Sequence, residues 1–423
     1  MNESAKKLTI LRDYTENINS SVHPPVAGPE WSSPNTSLPC AFASDTKPRI
    51  TAKFEGCPMG TVYAKGDGPS SFDLPVKLLS NGIYEATELS TKFIGDKIYF
   101  FENFEIKWYF AATPNGPWME AGTSINPLYV IKPTMAPTMD FYHTLLYYGC
   151  KYGNGKTTDL SVVDNIYNNV FVPKKLLRRD DPAKLDGMSY WGLDNPQTID
   201  YCWTTPALLR YEDGRCGAWA VFFQDMLKVQ GIFTELGALS PKISVIDENS
   251  VVHYEFINKA AIFFGSEKIN LSIEYKISKF GVKYLNGCFF VKNWQLSSNL
   301  PFYLWDKEYK PYGTPLGPIS LNNGNLLLKS EMFGVIAQNN ENPQSTFVDH
   351  AVLLFEDGIY DPSYGIQVPS GGLNQTNYEQ IAVQGYGIAE GQLKFFKIPY
   401  PVFRTSYLLE EEITQLQLKM EKY

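Results

Sequence analysis

The chain has 423 residues, 44% hydrophobic and 19% charged, which is enough for two or three packed domains and excludes a disordered chain. A net charge of −8 and a pI near 5.2 argue against the basic face that a nucleic-acid partner requires. Aromatic residues make up 14%, and 32 glycines and 28 prolines supply turns, so strands and long loops are expected over a helical bundle.

Residues 1–45 carry His23-Pro24-Pro25, Gly28-Pro29, Ser32-Ser33-Pro34 and Ser37-Leu38-Pro39, and read as an extended or disordered N-terminal arm. Residues 46–134 read as all-β. Phe104, Ile106, Trp108 and Phe110 alternate with Glu105, Lys107 and Tyr109, the pattern of a half-buried strand. Thr113-Pro114-Asn115-Gly116 marks a turn, and strands follow through Trp118-Met119-Glu120 and Leu128-Tyr129-Val130-Ile131. Arg49–Phe54 and Gly60–Tyr63 are earlier strand candidates, and Trp108 and Trp118 read as core. This segment resembles the immunoglobulin-like modules that precede catalytic domains, in architecture only, because the Cys…Trp…Cys spacing of antibody domains is missing.

Pro133 to Pro137 reads as a linker. Beyond it the pattern is mixed. Leu160, Val163, Tyr167 and Val170 fall at helical spacing behind the cap types Thr158 and Asp159, and residues 215–230 form the clearest helix. Val251–Phe256, Ile269–Tyr275 and Cys288–Trp294 read as strands. Thr405–Lys422 reads as a terminal helix, with Leu409, Ile413, Leu416 and Met420 as its stripe and Glu410, Glu411 and Glu412 at its start.

The longest apolar runs, Gly217–Phe223 and Ala260–Gly265, are far short of the ~18 residues of a membrane span, and Leu8–Leu11 is too short for a signal core. The expectation is a cytoplasmic protein, or one exported without a cleavable signal peptide, with neither membrane nor nucleic acid as partner. The six cysteines and four histidines form no CxxC pair or Cys/His cluster, so no metal and no cofactor are expected. Gly149-Cys150-Lys151-Tyr152-Gly153-Asn154-Gly155-Lys156-Thr157 approaches a phosphate loop, but has five residues where the pattern needs four before its Gly-Lys pair.

Two segments carry chemistry. In Asp213-Gly214-Arg215-Cys216-Gly217-Ala218-Trp219 a turn leads to a cysteine in the first turn of an amphipathic helix that stops at Gly231. Free amide N–H groups and the positive end of the helix dipole favour a thiolate there. In His350-Ala351-Val352-Leu353-Leu354 and Ile359-Tyr360-Asp361-Pro362-Ser363, the order is strand, turn, strand. A register pairing Leu354 with Ile359 makes Asp361 the diagonal neighbour of His350 on one face, roughly 5–8 Å away. A two-residue Asp357-Gly358 turn would separate them. A thiol, an imidazole to take its proton and a carboxylate to orient that imidazole form a nucleophilic triad.

The order Cys, His, Asp, with Gly214-Arg215-Cys216-Gly217-Ala218-Trp219-Ala220, His350-Ala351-Val352 and Tyr360-Asp361-Pro362-Ser363, resembles the transglutaminase-like superfamily of the papain-like fold. The resemblance implies an α+β protein: an immunoglobulin-like β-sandwich at 46–134, then a catalytic domain at 135–423 with a β-rich insertion at about 236–333. It also implies Cys216 as nucleophile, His350 as general base and then acid, and Asp361 as orienting carboxylate. The cysteine signature of papain-type enzymes is missing, and Arg210 stands six residues before Cys216 in place of an upstream Gln. Trp191 and Trp203 are the candidates for a second oxyanion or substrate-contacting group. The expected activity is hydrolysis of a peptide or side-chain amide of a protein or peptide substrate, through a thioester. The alternatives are transglutaminase or deamidase action on protein glutamine, and a catalytically idle binding module. Sequence leaves the oligomeric state open.

Overall fold

A computed structural model describes residues 8–13, 23, 25–26, 31–32, 36–44, 47–56, 62–69, 72–75, 77–80, 83–89, 97–132, 140–179, 187–191, 204–247, 250–254, 274–277, 281–284, 286–291, 336–341, 343, 346–347, 350–369, 377–378, 381–389, 393–396 and 413–422. The expected linker at Pro133–Pro137 lies outside them, as do Trp203 and much of the 236–333 segment. The protein is mixed α+β, with mostly strands and a few helices among the described residues. It divides into two compact units. The first comprises Met1–Ile166, Arg178–Lys184 and Asp225–Phe233, and the second Tyr167–Leu177, Leu185–Gln224 and Thr234–Tyr423.

In the first unit, the N-terminal segment supplies β1 (Ile10–Leu11), β2 (Trp31–Ser32), β3 (Thr36–Ser37) and β4 (Cys40–Ala43). There follow β5 (Arg49–Phe54), β6 (Tyr63–Asp67), β7 (Phe72–Pro75), β8 (Lys77–Ser80), β9 (Ile83–Leu89), β10 (Tyr99–Ala111), β11 (Met119–Ile131) and β12 (Phe141–Tyr142). One sheet has the order β4-β11-β10-β6-β7 and another the order β5-β9-β8. The two stretches read separately as 118–120 and 128–131 are one long strand, β11, paired with β10 from Tyr99↔Val130 to Phe110↔Met119. At the turn between them Gly116 has φ +89° and donates its N–H to the Thr113 carbonyl at 3.1 Å.

The alternation in β10 sends Phe104, Ile106 and Trp108 into a core with Phe42, Leu128 and Val130. Trp108 is buried, its indole donating to Ser124 Oγ at 2.9 Å, whereas Trp118 is half-buried under the Lys65 ammonium. Helices α1 (His143–Gly153) and α2 (Asp159–Val170) follow, and Gly149 and Gly153 of the phosphate-loop look-alike are helical residues of α1.

The second unit holds β13 (Ser189–Tyr190), α3 (Thr205–Tyr211), β14 (Asp213–Gly214), the start of α4 (Cys216–Val229), and β15 (Glu235–Asp247) to β16 (Ser250–Tyr254). Next come β17 (Glu274–Ile277), β18 (Gly281–Tyr284), β19 (Asn286–Val291), β20 (Thr346–Phe347), β21 (His350–Phe355), β22 (Gly358–Asp361), β23 (Ile366–Val368), β24 (Val383–Ala389), β25 (Leu393–Phe396) and β26 (Ile413–Lys422). The principal sheet has the order β16-β15-β21-β22-β23, with β26 also pairing β15. A second sheet runs β20-β19-β24-β25.

The expected C-terminal helix is corrected here. Residues 413–422 form a strand, paired antiparallel with β15 from Gly237↔Lys422 to Val245↔Ile413. Leu416, Leu418 and Met420 alternate with Gln415, Gln417, Lys419 and Glu421, a period of two that overrides the weaker helical stripe.

The core of the first sheet gives a direct test. Trp108→Ala removes a buried ring and orphans Ser124, and is expected to cost about 3–5 kcal/mol. Trp108→Phe keeps much of the volume and loses the hydrogen bond, costing less. Urea unfolding midpoints of both variants check the ranking.

Candidate functional site

The cysteine is set by three local features. Thr204 caps α3 by accepting the Ala207 N–H, with Pro206 in the first turn. Glu212 ends α3 in the left-handed conformation, φ +56°. The chain then runs through β14, which pairs parallel with β13 as Ser189↔Asp213 and Tyr190↔Gly214. Arg215 accepts the Trp219 N–H on its carbonyl, which makes Cys216 the first residue of α4. Its backbone N–H therefore belongs to the unpaired set of a helix start. Cys216 is buried, at 8% exposure. Behind it Trp219, Phe222 and Phe223 pack against Phe171, and Phe223 also meets Tyr167 and Tyr360.

The histidine and aspartate stand on one hairpin. Its register is Leu353↔Tyr360, Leu354↔Ile359 and Phe355↔Gly358, the pairing that keeps the two on one face. Glu356, with φ +50°, and Asp357 make the turn. His350 Nε2 lies 2.9 Å from Asp361 Oδ2, and both residues are fully buried. The Cys216 thiol is near enough to the same imidazole to act on its charge. Burial pulls the His350 pKa down, but the Asp361 charge and hydrogen bond, with the nearby Cys216 thiol, outweigh it and raise the value to about 10. The structure thus brings Cys216, His350 and Asp361 into one contiguous array.

Asp361 is held from several sides. The backbone N–H groups of Ser363 and Tyr364 donate to Oδ1 at 3.1 and 3.4 Å, and the Tyr378 hydroxyl donates to Oδ2 at 2.7 Å. The Tyr167 hydroxyl donates to the Asp361 main-chain carbonyl at 2.7 Å. Burial pushes the Tyr378, Tyr364 and Tyr190 phenols well up. The Asp361 charge adds to the rise in Tyr378 and Tyr364, and the Tyr364 and Cys216 charges add to it in Tyr190. The rise keeps these phenols neutral, and Tyr378 a donor to Asp361. Burial lowers the Lys174 pKa, against an opposing pull from Asp361.

Trp191 directly follows β13 and lies against Gly214 and Arg215. Its N–H donates to the Gly214 carbonyl at 3.1 Å, its φ is +54°, and the Arg215 guanidinium lies over its ring at 4.9 Å. Trp203 lies outside the described residues. Sequence reasoning missed the tyrosines 167, 190, 364 and 378, because nothing singles out four among 27. It also missed Gln338-Asn339-Asn340, whose side-chain amides bond backbone carbonyls on three segments. A run of three amides was the available signal, and it reads only as a turn.

Among the described residues no cluster of three or more His, Cys, Asp or Glu side chains could hold a metal ion, and no helix is long and apolar enough to cross a membrane. No protein-family model matches the chain, and no curated protein matches it.

The His350–Asp361 pair makes stability pH-dependent. The folded pKa, about 10, lies above the unfolded value of about 6.5. The pair's contribution is therefore full below about pH 6.5 and is lost as pH rises through 10. Wild type is expected to lose Tm across that window, and His350→Gln to lose less between the same two pH values. Differential scanning calorimetry at matched ionic strength checks the difference.

Proposed function

We propose that this chain is a cysteine acyl-transfer enzyme of transglutaminase-like type. In this reading an immunoglobulin-like module at 46–134 precedes a papain-like catalytic domain at 135–423. The observation that carries the reading is the fully buried pair in which Asp361 holds Nε2 of His350, with the Cys216 thiol, at a helix start, close enough to act on the same ring.

The chemistry follows from those positions. His350 accepts the thiol proton, and the thiolate sulfur of Cys216 attacks an amide carbonyl carbon. Negative charge develops on the carbonyl oxygen. The Cys216 backbone N–H is one donor for it, and the indole N–H of Trp191, next to β14, is the second. The imidazolium gives its proton to the leaving amine as the C–N bond breaks, leaving a thioester. Water, deprotonated by His350, then releases the acid and returns the thiol. An amine in place of water forms a new amide. We favour hydrolysis of a peptide or side-chain amide, since water is the default acceptor where nothing excludes it. Asp361 orients the ring.

The test compares thiols within one protein. Burial pushes Cys150 up to about 12, and Cys40 is half-buried outside the array. At about pH 6, where an ordinary thiol of pKa ~8.5 is protonated, iodoacetamide is expected to alkylate Cys216 ahead of Cys40 and Cys150. His350→Ala should remove the preference, and Asp361→Asn should slow turnover severely while circular dichroism is unchanged. Equal labelling of Cys40 and Cys216, followed by mass spectrometry over a short time course, would replace the enzyme with a binding module.

A further inference from the structure

We propose that the Gln338-Asn339-Asn340 turn is a positioning latch of the acyl-transfer site, holding the Tyr190–Trp191 segment against the Cys216 approach and the Asp361 turn against His350. The proposal rests on the acyl-transfer reading.

The three amides have different targets. Asn340 Nδ2 donates to the consecutive carbonyls of Tyr190 and Trp191, at 2.8 and 3.0 Å. Both protons of one amide group are thereby used on adjacent peptide planes, and the Tyr190 N–H returns a bond to the Gln338 carbonyl at 2.8 Å. Gln338, fully buried, donates from Nε2 to the carbonyls of Pro362 and Phe171, each at 2.7 Å, and its N–H donates to the Ser363 carbonyl at 3.2 Å. Asn339 anchors the turn itself: Nδ2 donates to the Leu176 and Met188 carbonyls at 2.8 Å, and its N–H to the Lys174 carbonyl at 3.0 Å.

The two outer amides act on opposite halves of the site. On the Asn340 side lies Trp191, a bulky residue at φ +54°, a conformation that persists only where neighbours impose it. The restraints are visible: Asn340 on its carbonyl, and the Gly214 carbonyl accepting its N–H. Gly214 is two residues from Cys216, so the same pairing fixes the distance from the segment to the helix start. On the Gln338 side lie Pro362 and Ser363, and the Ser363 N–H is one of the donors to Asp361 Oδ1. Gly187 shows how closely the latch is seated, since a Cβ there would come within 2.2 Å of the Asn339 side chain.

Two reactions of one thiol separate a positioning role from a structural one. Alkylation by iodoacetamide forms an S–C bond, expels iodide and builds no oxyanion. Acetylation by 4-nitrophenyl acetate expels nitrophenolate and builds charge on the carbonyl oxygen. Asn340 is only half-buried, so Asn340→Ala is expected to fold. It should leave Cys216 alkylation within about twofold of wild type and cut Cys216 acetylation by roughly tenfold to a hundredfold, the range for a misplaced oxyanion donor. Gln338→Met should slow both reactions and move the alkaline limb of the alkylation profile downward, because the Asp361–His350 pair loosens. Gly187→Ala, which displaces the Asn339 amide from the other side, should follow Asn340→Ala in its ratio. Equal losses in both reactions for Asn340→Ala, or no loss in either, overturn the latch. Wild-type protein that alkylates at Cys216 yet is never acetylated there overturns the acyl-transfer reading itself, and the latch falls with it.

Discussion

A fully buried carboxylate beside a fully buried imidazole is the constraint on which the second unit is built. Desolvating either group alone is costly, and the pair is tolerable only with good geometry and saturated lone pairs. Asp361 meets both conditions, with His350 and Tyr378 on one oxygen and two backbone N–H groups on the other. Those backbone donors come from the turn that follows Asp361, so the turn has little freedom. Gly365 takes φ +64° there, and a Cβ on it would meet the Phe171 carbonyl at 2.9 Å. The buried pair and the tight turn are one device.

The aromatic content supports the same device. Tyr167 is used twice, its ring packed on Phe223 and Tyr360 and its hydroxyl on the Asp361 carbonyl. Tyr190 and Tyr364 meet edge to face, and the Tyr364 ring lies 5.6 Å from that of His350. Rings have few rotamers, so a wall of them fixes the imidazole at a low entropic cost. The low polarity of their faces strengthens the charge interaction inside.

The imidazole is presented with a defined polarity. Nε2 faces the carboxylate, the reverse of the serine-protease arrangement in which Nδ1 does so. The β21–β22 hairpin dictates this, because the ring leaves the strand beside its diagonal partner and the carboxylate reaches its far nitrogen.

The sequence by itself determined the local elements whose signals are short in range. The alternation through Phe104 and Trp108, the helix opening at Cys216 and the strand, turn, strand order from His350 to Asp361 each need only neighbours in the chain, whereas the register pairing Leu354 with Ile359 was decided by the structure. From those the sulfur, imidazole and carboxylate could be named. Residues 413–422 show the limit within one segment: two periods competed, and pairing with β15 decided for the strand. What only the tertiary structure decided lies across long separations. The hydroxyls of Tyr167 and Tyr378 reach Asp361, and three consecutive amides reach residues more than 140 positions away. Hydrogen bonds of this kind leave no periodicity, because one donor and one acceptor suffice and any loop can bring them together. Trp191 met Gly214 and Arg215 in the same way, beside a two-residue parallel ladder that no spacing rule could have found.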